Sequence, residues 1–213
     1  MSLFGPRRPA LSTQTRNRAW TSAPWAVLDF ETTGLNARVD SIISVGVVPI
    51  DNASADLGSS YYSLVRPETP VSPASSEVHG LRAADLEEAP TCHHVAQALA
   101  DAIGDRLLVA HAAWVETGFL AALQDHTGVG LPRPVADTAA LCRRAGIVAA
   151  QPSHEPSLEL VARRLQLPVY SPHHALGDAL TTAVVFMALA HRLSARHQGR
   201  PASVADVLRA AAT

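Results

Sequence analysis

An α/β fold, with a mixed β-sheet covered by helices, is predicted by three features of this sequence. Short apolar runs rich in Val and Ile crowd the first third of the chain. Stretches with helical spacing fill the remainder. The two types alternate around residues 92–126. The 213 residues suffice for one compact domain with a sizeable core, and no internal repeat or second domain is visible.

The elements follow in chain order. Residues 1–22 contain Pro6, Pro9, Arg7, Arg8, Arg16 and Arg18 with little periodicity, and read as a flexible basic tail. The domain itself is expected over 23–194. Residues 25–30 (WAVLDF) form an apolar run expected to be a buried strand, and 42–50 (IISVGVVPI) a second. Asp51, Asn52 and Ala53 make a turn, and 60–66 form a third strand, completing a meander. Residues 92–103 have helical spacing, with Val95, Leu99 and Ile103 on one face. A fourth strand is expected at 107–110. Residues 114–126 are helical, with Phe119, Leu120 and Leu123 as the apolar side. Short helices are expected at 137–144 and 157–165, and a long one rich in Ala, Leu and Val at 175–193. Residues 195–213 read as a C-terminal tail with room for a short helix.

Composition narrows the function classes. At 47% hydrophobic, the chain is globular rather than disordered. No apolar run reaches the ~18 residues of a membrane span, and the first 22 residues lack the apolar stretch of a secretory signal. Cys92 and Cys142 do not make a disulfide framework, so a cytoplasmic location with reduced thiols is expected. The net charge of −2 argues against coating long nucleic acid through a basic surface. It leaves room for an enzyme that grips a few nucleotides. All 17 basic residues are arginine, a side chain able to bind phosphate in bidentate fashion.

Four places could carry chemistry. Asp29 and Glu31 stand two apart on a strand, so both point to one face. Adjacent carboxylates repel unless a cation lies between them, and Mg²⁺ or Mn²⁺ prefers such oxygen ligands. The turn Thr32-Thr33-Gly34 that follows lets backbone approach a ligand. Asp178, on the long helix, is preceded by His173, which Pro172 places in the entering loop. A loop histidine beside an activated water suits a general base. Residues 109–120 (VAHAAWVETGFL) run from strand to helix, with His111 at the turn and Glu116 in the first helical turn. Residues 78–90 place His79-Gly80 at a turn before a helix, with Leu81 as an apolar contact. Each of these alone has an ordinary explanation as a cap or a solvated surface group. Cys92-His93-His94 has no partner pair at zinc-ligand spacing and reads as a surface helix start. Cys142 reads as a small buried residue.

Taken in order, these segments resemble the DEDDh exonucleases of the ribonuclease H-like fold. That group includes the proofreading epsilon subunit of bacterial DNA polymerase III, RNase T and oligoribonuclease. The likeness covers roughly residues 24–192. DFETTG (29–34) resembles the first motif, and IISVGVV (42–48) the strand after it. HGL (79–81) with Ala89-Pro90 resembles the segment beside the terminal nucleotide, and VAHAAWVETGFL the second motif. Asp137-Thr138 with Leu141 and Arg143, then SLELVARRLQL (157–167), resembles the family's helical stretch, and HHALGDA (173–179) its third motif. Two departures stand out. The second motif, usually His-Asn-x-x-Phe-Asp, is here His111-Ala112-Ala113-Trp114-Val115-Glu116. Ser44 stands where relatives often have Glu.

The resemblance implies a mixed five-stranded sheet, three antiparallel strands then two parallel, flanked by helices. It implies metal-dependent 3′→5′ hydrolysis of phosphodiester bonds at a nucleic-acid 3′ end, single-stranded DNA or RNA. Asp29, Glu31, Glu116 and Asp178 would hold two Mg²⁺ or Mn²⁺ ions about 4 Å apart, with His173 as base. Thr32, Thr33, Gly34, His79 and Leu81 would meet the substrate. A polymerase partner is compatible with this reading. The alternative is a weakened exonuclease-fold domain that binds nucleic-acid ends or a polymerase, and Glu116 is the feature pointing to it.

Overall fold

The computed structural model describes residues 11–130, 135–148, 155–195 and 200–212. The first ten residues of the expected tail lie outside this set.

The chain opens with a short helix, α1 (Thr13–Asn17), and a 3₁₀ turn at Trp20–Ser22. Strand β1 (Trp25–Thr32) pairs antiparallel with β2 (Ile42–Asp51). Two strands share the far edge of β2: the two-residue β3 (Ser54–Ala55) at one end and β4 (Tyr61–Leu64) at the other. Helices α2 (Pro73–His79), α3 (Ala83–Leu86) and α4 (Cys92–Ile103) follow. Strand β5 (Leu107–Ala110) lies parallel to β1, and after α5 (Trp114–Thr127), β6 (Val135–Asp137) lies parallel to β5. Helices α6 (Thr138–Arg144), α7 (Leu158–Arg164), α8 (Ala175–Ala195) and α9 (Val204–Ala210) complete the chain. The sheet order is β3-β2-β1-β5-β6, with β4 also on β2. It is therefore mixed, as expected, but six-stranded, because β3 adds a short strand to the five.

Strand alternation assigns the two faces. Trp25 and Val27 point into a core made with α6, α7, α8 and α9, whereas Ala26, Leu28 and Phe30 point to α4 and α5. Asp29 and Glu31 continue the first series, so the strand period aims both at the α8 side. Helix α8 approaches closely because its buried face is mostly small: Ala175, Gly177, Ala179, Thr181, Thr182 and Ala183. It is long and apolar enough to cross a membrane, but half of its most apolar stretch is buried in this core.

Residues 11–22 correct the expectation of a loose tail. Trp20 is only 3% exposed, and its ring meets Phe186 edge-on at 6.0 Å. Its indole N–H donates to Ser194 Oγ, and its backbone N–H to the Ala202 carbonyl. Trp25 donates to the Trp20 carbonyl. An aromatic side chain, with backbone bonds such as that from the Val204 N–H to the Arg18 carbonyl, anchors this segment without any periodic pattern, burial of a large apolar side chain contributing about 1.5–3 kcal/mol. The far end behaves similarly. Helix α9 is capped by Ser203 and Asp206, and buries Val204, Val207 and Ala210 in the same core.

Candidate active site

The site forms where the C-terminal end of β1 meets the first turn of α8 and the first turn of α5. Asp29, Glu31 and Asp178 each offer a carboxylate oxygen within 4.8 Å of the others. Two glycines make this convergence possible. Gly46, opposite Asp29 in the β1–β2 ladder, carries α8 on its face: a Cβ there would lie 2.4 Å from the Ala175 backbone. A Cβ on Gly177 would lie 2.5 Å from the Ser171 and Tyr170 carbonyls. Any side chain at either position would push the start of α8, and Asp178 with it, away from β1.

His173 sits on the loop entering α8, exposed, with φ +58°. Its backbone N–H donates to Asp178 Oδ2 at 2.8 Å, so the acid pins the loop that carries the histidine. The next residue, His174, stacks on Tyr62 of β4 with ring centroids 4.6 Å apart.

Glu116 lies outside the three-acid cluster but is electrostatically part of the site. It is buried, and its Oε2 has no hydrogen-bond partner. Burial pushes its carboxyl up to about 8, with Asp137 and Glu31 adding repulsion and its own backbone N–H pulling back. Asp29 is raised well above the usual carboxylate range by burial, then by the charges of Glu116, Asp178 and Glu31. Glu31 is raised to about 7 by burial and by Asp178. Asp178 is raised to about 6 by burial, against the pull of the His173 N–H. Among the described residues, no arginine or histidine side chain is ion-paired with any of the four. Half-buried acids without a cationic partner, beside a fully buried Glu116 Oε2 that has no hydrogen bond, fit a hard divalent cation whose charge would satisfy them.

The expected substrate contacts divide. His79 lies near enough to His173 for their charges to interact, and its own pKa is lowered by burial and by that neighbour. Its ring nitrogens are taken, however: Nδ1 accepts the Leu81 N–H and Nε2 bonds Ser75 Oγ. Ser75 in turn donates to the Thr32 carbonyl, so this set ties α2 and Leu81 to the end of β1. Thr33 Oγ1 accepts the Ser41 N–H and bonds Thr69 Oγ1, tying down the loop after β1. Gly34 leaves space for the Asp40 carboxylate, which a Cβ would meet at 2.5 Å. Thr32 is half-buried, its hydroxyl donating to the Gly34 carbonyl.

His111 is not brought to the acids. Its nitrogens bond Thr138 Oγ1 and the Pro156 carbonyl, and burial lowers its pKa. Ala112, at the Asn position of the motif that the sequence resembles, has φ +52°, a conformation that Asn tolerates better than Ala. Asp137 is the acid that spacing did not single out. It is buried beside Glu116, and its Oδ1 caps α6 through the Ala139 N–H. An Asp-Thr pair between a strand and a helix looks like an ordinary cap.

The RNase T exonuclease family profile matches residues 26–186. The chain belongs to this exonuclease family. Over 180 residues it is 32% identical to a DNA polymerase III PolC-type of Thermotoga maritima, covering 84% of this chain and 13% of that protein. Over 175 residues it is 34% identical to a DNA polymerase III subunit epsilon-like protein of Rhodobacter capsulatus, covering 81% and 24%. The chain thus spans about an eighth to a quarter of the length of these relatives. Among solved structures, Exonuclease X bound to 5′-overhanging duplex DNA aligns with TM-score 0.65 at 22% identity, covering 86% of this chain and 99% of that one. Exonuclease I of E. coli with a dT13 oligonucleotide aligns with TM-score 0.70 at 10% identity, covering 83% and 43%. At these identities the structures speak to the fold, which they share with this family member.

Proposed function

We propose that this domain is a 3′→5′ exonuclease that hydrolyses the terminal phosphodiester of single-stranded DNA or RNA at a pair of divalent cations. The observation carrying this reading is the convergence of Asp29, Glu31 and Asp178 within 4.8 Å, half-buried and without a protein cation. Relatives named as 3′-5′ exonucleases support the direction. Asp29, which feels the charges of the other three acids, would bridge the two ions. Glu31 and Asp178 would serve the nucleophile side and Glu116 the leaving side. Two Mg²⁺ or Mn²⁺ ions bound there would acidify the attacking water and neutralise the departing 3′ oxygen.

The chain's own residues supply the rest. His173 accepts the proton of the attacking water. Asp178 holds the His173 backbone in place while its second oxygen stays free for an ion. Thr32, Gly34, Leu81 and the backbone around His79 shape the place of the terminal nucleotide. The free thiols Cys92 and Cys142 accord with a reducing, cytoplasmic setting.

The position of Glu116 outside the three-acid cluster favours a second reading: a weakened domain that holds nucleic-acid ends or serves a polymerase, the company in which PolC-type relatives are named. The Glu116 series separates the two. Mg²⁺ demands near-ideal octahedral geometry at about 2.0–2.1 Å, so digestion of a single strand is expected to be faster with Mn²⁺ than with Mg²⁺. Glu116→Asp should keep or improve the Mg²⁺ rate, and Glu116→Gln should lower both strongly. A Glu116→Gln variant as fast as the parent would remove Glu116 from the ligand set. A parent without metal-dependent digestion would favour the binding module.

A further inference from the structure

We infer that Cys92, His93, His126 and Glu68 form a second metal site, for a borderline divalent cation of the zinc class, remote from the catalytic acids. Cys92 and His93 open α4, and His126 closes α5. The fold brings the two helix ends together, so that Cys92 Sγ and a ring nitrogen of each histidine lie within 4.8 Å of one another. Glu68, on the loop between β4 and α2, completes the set. Its Oε1 lies 3.4 Å from His126 Nε2 and 3.8 Å from Cys92 Sγ.

These spacings suit tetrahedral coordination. With Zn–S about 2.3 Å and Zn–N or Zn–O about 2.0–2.1 Å, neighbouring ligand atoms stand roughly 3.3–3.7 Å apart. The donor set is as informative as the distances. The catalytic acids offer only oxygen, the preference of Mg²⁺ and Mn²⁺, whereas a thiolate with two imidazoles selects zinc, cobalt or copper. One thiolate and one carboxylate balance the two positive charges, and binding releases the thiol proton to solvent. The sites are separate: Glu116 and His126 lie ten residues apart on α5, about 15 Å along the helix axis.

The ion would staple three segments, two of which, the loop of Glu68 and the approach to α4, already share the bond from the Arg66 N–H to the Pro90 carbonyl. Glu68 is followed by Thr69, whose hydroxyl bonds Thr33 and Ser41 of the loop after β1. The staple therefore reaches, through two hydrogen bonds, the loop that starts at the catalytic strand. His126 stands thirty-three residues from His93 with no regular spacing motif, which is why the pairing is invisible in the sequence.

Cobalt absorption on the chelator-stripped 213-residue chain tests the assignment. One equivalent of Co²⁺ should produce a thiolate-to-metal charge-transfer band with tetrahedral ligand-field bands, and Zn²⁺ should bleach both. The carboxylate site cannot give that band, so Asp29→Asn should retain it. Cys142→Ser, at the other thiol of the chain, should retain it too, and Cys92→Ser should lose it. His93→Ala and His126→Ala, at exposed positions that fold readily, should each weaken Co²⁺ binding more than about tenfold, since even outer-shell partners cost 10–100-fold. No band in the parent, a band surviving Cys92→Ser, or undiminished affinity in both histidine variants would overturn the site.

Discussion

Asp29→Asn is expected to abolish hydrolysis while leaving the domain folded and, without metal, more stable than the parent at pH 8. Asp29 feels the charges of Glu116, Asp178 and Glu31, so its loss should cost more than the about 10²–10³-fold that follows removal of one electrostatic stabiliser. The stability half rests on linkage. Each of the four acids has a folded-state pKa above its ordinary value, with Asp178 near 6, Glu31 near 7 and Glu116 near 8. Groups raised in this way favour the folded state below their unfolded pKa, and that contribution is lost as pH rises through the folded value. The metal-free parent should therefore lose stability from about pH 4 to pH 8, and Mg²⁺ or Mn²⁺ should restore it. Thermal melts with and without metal across this range provide the check. A parent whose Tm is flat from pH 5 to 8 without metal, or an Asp29→Asn variant that still cleaves, would contradict the arrangement.

His173→Ala is expected to lower kcat by about 10²–10⁴-fold, the range for loss of a positioned general base, with KM and metal binding little changed. Asp178 holds residue 173 through its backbone N–H, so removing the imidazole leaves that bond in place. Position 173 has φ +58°, which Ala tolerates less well than Asn. His173→Asn is therefore the cleaner variant, keeping the backbone and removing the base. Single-turnover rates and metal titration on both variants make the measurement. A His173→Asn enzyme with parental kcat would take the base role from this residue.

The parts of the fold that repeat were legible. Strand β1 shows as a continuous apolar run, and the two-residue period of any strand then gives the shared direction of Asp29 and Glu31. Helices α4, α5 and α8 show their apolar faces. Strand β6, three residues long, and β3, two residues long, are too short to make a pattern and exist only as partners of β5 and β2. The anchoring of residues 11–22 draws on an indole meeting Phe186 and Ser194 and on backbone bonds to residues 202–204, some 170–185 positions away, which no local window contains. The site divides in the same way. Motif spacing nominated Asp29, Glu31, Glu116, His173 and Asp178 as candidates. It could not show that Glu116 lies outside the three-acid cluster, that His111 is consumed by Thr138 and Pro156, or that Asp137 is buried beside Glu116. Those facts follow from how the ends of β5, β6 and α5 pack.

The proposed role of these carboxylates is to hold cations that cut a strand from its 3′ end. Its most direct measurement is digestion of 5′-labelled single-stranded DNA and RNA with Mg²⁺, with Mn²⁺ and with EDTA. A ladder of labelled products receding from the 3′ end, present with metal and absent with EDTA, is expected on at least one of the two strands. Intact strands under both metals, or release of the label as a mononucleotide before any ladder forms, would contradict it.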